Sequence, residues 1–192
     1  MSTMSPQEKA ISDAAIKVIV NQGFDVVSVR KVAQQAGVAP GTVQYFMGTK
    51  DELLSRALLR SAARQHERVS SLRFQSNTSP LEQLHRSLLE LLPIGPIQRE
   101  DAALWVILGA AASTRKVLAQ EYQNELSRFQ DHLISALSAA DVPEDIAQTA
   151  RLITAIVNGL TLDYMHAKPD AETTKALSDD LSSGLQLILQ KQ

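Results

Sequence analysis

Apolar residues recur along most of this chain at spacings of three and four, the period that gathers them on one face of an α-helix. In the first such segment Ile11, Ala14, Ala15, Val18 and Ile19 form the stripe, and Gly23 stands where the helix should stop. Two short helical segments follow, near Val29 to Ala36 and Pro40 to Phe46, then a longer one from Lys50 towards Ser70. Beyond a polar loop around Arg73 to Ser79, the pattern predicts helices near 80–92, 98–112, 114–139, 143–167 and 171–190. Pro93-Ile94-Gly95-Pro96, Asp141-Val142-Pro143 and Lys168-Pro169-Asp170 supply the breaks. No run alternates apolar and polar residues as a strand does. The expectation is an all-α protein of about nine helices, with a small head of short helices on a bundle of longer ones.

Helix starts are marked independently of the stripes. Ser5-Pro6-Gln7-Glu8, Thr49-Lys50-Asp51-Glu52 and Ser79-Pro80-Leu81-Glu82 all read as capping boxes, in which a hydroxyl and a later carboxylate satisfy exposed backbone N–H groups reciprocally. Two of them also place proline at the first helical position, where its missing N–H costs nothing.

Composition narrows the function classes. The absence of cysteine removes disulfides, thiolate catalysis, zinc ribbons and zinc fingers, and it suits a reducing cytoplasm. The longest nearly unbroken apolar stretch, Ala102 to Ala112, falls short of the roughly 18 to 20 residues that span a bilayer. Met1-Ser2-Thr3-Met4-Ser5 offers neither a basic region nor an apolar signal core, so neither export nor membrane association is expected. Net charge is −2, divided unevenly: residues 1–70 hold 9 Lys/Arg against 6 Asp/Glu, the remainder 10 against 15. A basic head on an acidic body suggests that the head is the part that approaches a polyanion.

The head also carries the most informative motif, running from Val29 through Phe46. Two short helices that cross steeply need a small residue where they touch, which Ala33 supplies, and a residue tolerant of positive φ in the turn, which Gly37 supplies. Val32, Ala36, Val38 and Val43 then fall on the inner side. The outer side of the second helix carries Thr42, Gln44 and Tyr45, with Pro40 and Gly41 leading. Such short or hydrogen-bonding groups suit the major groove of double-stranded DNA. Immediately afterwards a new helix begins with Lys50 in its first turn, and a lysine beside a helix N-terminus favours a phosphate.

From about Ala10 to Leu59 the sequence resembles the TetR family of transcriptional repressors, most clearly at Gly23-Phe24, Ala36-Gly37-Val38, Gly41-Thr42-Val43 and Thr49-Lys50-Asp51-Glu52-Leu53-Leu54. The resemblance implies a DNA-binding domain over 1–50, with the helix from Lys50 leading into a ligand-binding and dimerisation domain over 51–192. It implies that Ser28 caps the second helix beside a phosphate and that Arg30 reaches a base. Pro40, Gly41, Thr42 and Gln44 would occupy recognition positions, with Tyr45 and Lys50 on phosphates. Family members often have an aromatic at Gln44, a histidine at Phe46 and a phenylalanine at Met47, so base reading here departs from the usual pattern. Gln44 could hold adenine N6 and N7 in a bidentate manner, which is worth about 1 to 3 kcal/mol of discrimination, or contact phosphate through water.

The body should pair two such heads on a palindromic operator. The stretch from Ala150 to Met165 is apolar around most of its circumference, and the last helix adds a stripe at spacings of three and four. By the resemblance, Ile153, Ile156, Val157 and Leu160, with Leu177, Leu181, Gly184, Leu185 and Ile188, would form a homodimer interface. The carboxy-terminal portion is most similar to the group that includes the choline-responsive repressor BetI, through Val157-Asn158-Gly159-Leu160, and this assigns no ligand. Trp105, Tyr122, Phe129, His132, Thr154, Asn158 and Tyr164 are polar or aromatic residues on otherwise apolar faces and are the candidates for an effector pocket. At 4% aromatic residues a rich aromatic cage is not expected, so a small, largely apolar effector is. No cofactor is called for.

Two other classes remain to be weighed. Glu82-x-x-His85 and Asp163-x-x-His166 have the spacing that holds two irons in some four-helix bundles, although the Asp reaches less far. A purely protein-binding helical adaptor is the other. Nucleophile-elbow, P-loop and dinucleotide fingerprints are missing from the sequence.

Overall fold

The computed structural model describes residues 4–142 and 145–189. Among these the chain forms nine helices: α1 (Pro6–Gln22), α2 (Val29–Ala36), α3 (Pro40–Met47), α4 (Lys50–Ser71), α5 (Pro80–Leu89), α6 (Pro96–Ala112), α7 (Lys116–Ala139), α8 (Ile146–Tyr164) and α9 (Ala171–Leu189). Helix number and order match the hydrophobic pattern; the ends differ by a few residues. α5 stops at Leu89, and the Leu91 and Leu92 amides bond the Leu88 and Leu89 carbonyls in a tighter turn. α8 starts at Ile146, where the Asp145 carboxylate accepts from the Gln148 amide at 3.0 Å. Pro143, expected to open that helix, and Gln190, expected to end the last one, lie outside the described residues.

Of the three capping boxes, the one at Thr49 closes in both directions. The Thr49 amide and hydroxyl both donate to Glu52 Oε2, at 2.7 and 2.9 Å, while the Glu52 amide donates to Thr49 Oγ1 at 3.3 Å. At Ser5 and Ser79 the hydroxyl accepts from the Glu8 and Glu82 amides, both at 3.2 Å. The Glu8 carboxylate turns to Arg56 of α4 instead. A charged tertiary partner thus draws the carboxylate away from its own helix terminus.

The chain divides into two compact units, Met1–Arg64 with Ala103–Glu125, and Gln65–Ala102 with Leu126–Gln192. In the first, one face of α1 (Ile11, Ala15, Ile16, Ile19) packs in a single core with Val32 and Ala33 of α2, Val43 and Met47 of α3, Leu53, Leu54 and Leu58 of α4, and Leu104 and Leu108 of α6. Full burial of each of the Ile, Val, Leu and Met side chains among them contributes about 1.5–3 kcal/mol. The head is therefore rooted in the middle of the chain as well as in its beginning. The core of the second unit combines Leu84 and Leu88 of α5, Leu133 and Leu137 of α7, Ile153 and Val157 of α8, and Leu177, Leu181 and Leu185 of α9.

α4 belongs to both units and carries arginines at every fourth position. In the first unit Arg60 grips Asp13 of α1 through Nε and Nη2, at 2.9 and 3.2 Å, and Arg64 Nη1 reaches the same carboxylate at 3.5 Å. In the second, Arg68 donates to the fully buried Asp101 at 2.8 Å and to the Glu90 carbonyl at 3.2 Å. Spacing of four keeps all these cations on one helix face.

Candidate nucleic-acid interface

The helix-turn-helix is built by its two ends. Ser28, extended at φ −152°, caps α2 by accepting from the Lys31 amide at 3.3 Å. Gly37 ends α2 in the left-handed region at φ 67° and ψ 32°, a conformation costly for side chains with a Cβ, and the Val38 amide closes back on the Ala33 carbonyl at 3.1 Å. Ala39 then starts α3 without a side-chain cap, so Pro40 at the first position leaves one fewer N–H to satisfy.

α3 has two unlike faces. Val43 and Met47 are fully buried in the core of the unit, and Phe46 packs beside them. Pro40, Gly41, Gln44 and Tyr45 are exposed, Tyr45 at 83%, and Thr42 is half-buried. A Cβ added at Gly41 would meet nothing within 4 Å. The exposed edge carries hydroxyl, amide and phenol groups on a rod anchored from behind, and such a rod can be set into a major groove.

Several candidate side chains have partners that local spacing did not reveal. Gln44 Nε2 donates to the Gly48 carbonyl at 3.1 Å, closing the C-terminus of α3. While that bond holds, the bidentate adenine contact expected of Gln44 is not free to form. Lys50 donates to the Asp25 carbonyl at 2.6 Å, which ties the start of α4 to the turn before α2. Its charge is kept, and two of its three N–H groups remain for a phosphate. Gly48, at φ 64°, is where α3 turns into α4, and a Cβ there would strike the Glu52 carboxylate. Arg30 is exposed, and Lys31 donates to Gln22 Oε1 at 2.8 Å. Arg56, Arg60, Arg64 and Arg68, which account for much of the basic balance of residues 1–70, are engaged with carboxylates. The positive edge facing outward is accordingly smaller than the raw count implies.

The effector candidates are not gathered in one place. Trp105 and Tyr122 belong to the first unit, with ring centroids 5.3 Å apart; the Trp105 indole N–H is buried with no acceptor among the described residues, and burial pushes the Tyr122 phenol up. The other five belong to the second unit. Thr154 is buried and donates to the Ala150 carbonyl at 2.8 Å, and Phe129 packs against the second core. Tyr164 donates to Asp180 at 2.6 Å, a bond that raises its pKa. His132 and Asn158 are exposed, the former with its ring 6.1 Å from that of His66.

The interface candidates divide likewise. Ile153, Val157, Leu177, Leu181 and Leu185 are buried in the chain's own second core, so the same faces cannot also meet a partner. Ile156, Leu160, Gly184 and Ile188 are half-buried, and Ile156 lies against Gly184, where a Cβ would stand 2.9 Å from Ile156 Cδ1. The open large apolar residues of α8 and α9 are Leu152, Leu162 and Leu187. In the second unit a groove of about 440 Å³ is lined by Leu81, Glu82, His85, Ser182, Leu185 and their neighbours, and His85 Nε2 lies 3.0 Å from Ser182 Oγ and 3.2 Å from the Ser178 carbonyl. That histidine bridges α5 and α9. Among the described residues no group of three or more His, Cys, Asp or Glu could hold a metal, and no helix is long and apolar enough to cross a membrane.

An outward rod on a packed helix-turn-helix, followed by a capped helix with a lysine in its first turn, defines a DNA-binding protein of the helix-turn-helix class. Residues 11–57 match the family model for bacterial regulatory proteins of the tetR family, and residues 80–188 match the model for the C-terminal part of BetI-type transcriptional repressors. The chain belongs to the TetR family and is a DNA-binding transcriptional regulator, not an enzyme. This sets aside the di-iron and adaptor alternatives. It is 25% identical to the HTH-type transcriptional regulator PksA of Bacillus subtilis, over 83% of this chain and 78% of that one. It is 24% identical to the regulator BetI of Rhizobium meliloti, over 91% and 86%. Among solved structures, a transcriptional regulator from Rhodococcus sp. Rha1 superposes with a TM-score of 0.83 at 27% identity, covering 97% of each chain. A regulator from Saccharomonospora viridis, solved in complex with choline, shares the fold at a TM-score of 0.75 and 19% identity, covering 95% of this chain and 97% of that one.

Proposed function

We propose that two copies of this chain bind a palindromic operator and repress transcription, and that a small effector releases them. The observation that carries this reading is the division of α3 into a buried face, Val43 and Met47, and an exposed one, Pro40, Gly41, Gln44 and Tyr45. In this reading residues 1–50 form the DNA-binding part and 51–192 serve ligand binding and dimerisation. Ser28, Tyr45 and Lys50 contact phosphates. Arg30, Pro40, Gly41, Thr42 and Gln44 face base edges, with Gln44 leaving the Gly48 carbonyl to do so. Regulators of this family bind DNA as dimers. Here Leu152, Leu162 and Leu187, open on α8 and α9, supply the apolar surface, with Ile156, Leu160, Gly184 and Ile188 beside them. The protein works in the cytoplasm.

The effector is small and largely apolar. Choline, bound by the Saccharomonospora viridis regulator, asks for aromatic faces around a quaternary ammonium. The aromatic candidates here are divided between two units, with Trp105 and Tyr122 in one and Phe129 and Tyr164 in the other. Release requires that the effector prefer the conformation in which the two recognition helices no longer match the groove spacing. Selection of duplexes from a random library with purified protein, followed by footprinting, tests the proposal. It predicts a two-fold symmetric site with half-sites about 34–36 Å apart or a multiple of that. Recovery of asymmetric or unrelated sequences refutes it.

A further inference from the structure

The tip of the α6–α7 hairpin belongs to the same compact unit as the helix-turn-helix, and one side chain there makes two contacts with the head. Arg115 lies between α6 and α7. Its Nη1 donates to Asp51 Oδ1 at 2.6 Å, in the first turn of α4, and its Cζ stands 5.6 Å from the centroid of the Phe24 ring, in the turn between α1 and α2. The two contacts constrain different things. The ion pair fixes where the guanidinium ends, and the ring fixes the position of its planar face.

The neighbours of both partners close the circuit. Asp51 follows Lys50, whose ammonium holds the carbonyl of Asp25, and Asp25 follows Phe24. The start of α4, the turn before α2 and the hairpin tip are therefore joined in one ring of contacts. Arg115 is itself well seated: its amide bonds the Ala112 carbonyl at 3.3 Å, and its carbonyl accepts from the Ala119 amide at 2.8 Å in the first turn of α7.

We propose that Arg115 is a positioning residue for DNA binding, a clasp through which the α6–α7 hairpin sets the orientation of α2 and α3 and through which a shift of the hairpin reaches the recognition helix. The proposal rests on the reading that α3 enters DNA. It differs from a direct contact in what it predicts for salt, since a residue that neutralises no phosphate leaves the counterion slope untouched.

The test compares wild type, Arg115→Ala, Arg115→Lys and the exchanged pair Arg115→Asp with Asp51→Arg. Affinity for a duplex selected with the wild-type protein is measured by fluorescence anisotropy from low to moderate salt, and amide hydrogen exchange is followed along the chain. Arg115→Ala weakens binding roughly threefold to tenfold with an unchanged salt slope. It speeds exchange over residues 24–53 and leaves 145–164 as in wild type. Arg115→Lys keeps part of the affinity, and the exchanged pair restores more of it than either single change. A slope that falls by about one phosphate assigns Arg115 to the DNA backbone and overturns the proposal, as does unaltered exchange in the head. If the wild-type protein selects no duplex, the reading of α3 fails on its own, and the exchange measurement still decides whether Arg115 holds the head.

Discussion

The Glu52 carboxylate accepts the amide and the hydroxyl of Thr49, and these bonds, the backbone one first, hold its pKa below the ordinary glutamate value. A folded-state pKa below the unfolded one means that the bond stabilises the protein above the unfolded value and that the contribution disappears as pH falls through the folded one. In urea unfolding, the stability difference between wild type and Glu52→Gln should therefore be full above about pH 5 and shrink towards zero in more acid solution. A difference constant with pH contradicts this. The neighbouring residue supports a different expectation. Lys50→Ala should lower DNA affinity and reduce the slope of log affinity against log salt by about 0.9, because its charge, held at the start of α4, is the one assigned to a phosphate. The capping role of Thr49 was legible from spacing alone. The Asp25 carbonyl that receives Lys50 was not, since a contact across 25 residues leaves no local trace.

At the level of elements, the turn between α2 and α3 and the arginine face of α4 are the parts that the fold depends on most visibly. Gly37→Val places a β-branched residue at φ 67°, and it should cost about 1–2 kcal/mol in chemical denaturation. Arg68→Met would remove the guanidinium that pairs at 2.8 Å with the fully buried carboxylate of Asp101, and should destabilise the protein by about 2 kcal/mol, the worth of a hydrogen bond to a charged group, read from the urea midpoint. Helix order was readable because each stripe runs over several turns and Ser5, Thr49, Ser79 and Gly37 mark ends chemically. The pairing of the arginines was not predicted, although their spacing of four stood in the sequence, because the acceptors Asp13 and Asp101 lie on other helices and Glu90 just past the end of one. The same reason explains the divided stripe of α8 and α9. Periodicity shows that Ile153, Leu177 and Leu181 are buried, but it does not distinguish a chain's own core from a partner's surface.

For the whole molecule, two properties follow from the exposed faces. The open leucines of α8 and α9 should carry self-association, so Leu162→Asp combined with Leu187→Asp should raise the dimer dissociation constant at least about tenfold in sedimentation equilibrium while leaving the circular dichroism spectrum unchanged. The other property is DNA binding by the outer edge of α3. Gly41 is on the outer edge of α3 with open space around its Cα, so a longer side chain can be added there without disturbing the core, and a carboxylate near a helix N-terminus is compatible with the helix dipole. The most direct measurement is the affinity of Gly41→Glu for the selected operator, taken alongside its thermal unfolding. Unfolding should stay close to wild type while binding weakens by roughly a hundredfold or more, because a negative side chain now occupies the groove-facing edge. A folded Gly41→Glu protein that binds the operator as tightly as wild type contradicts this.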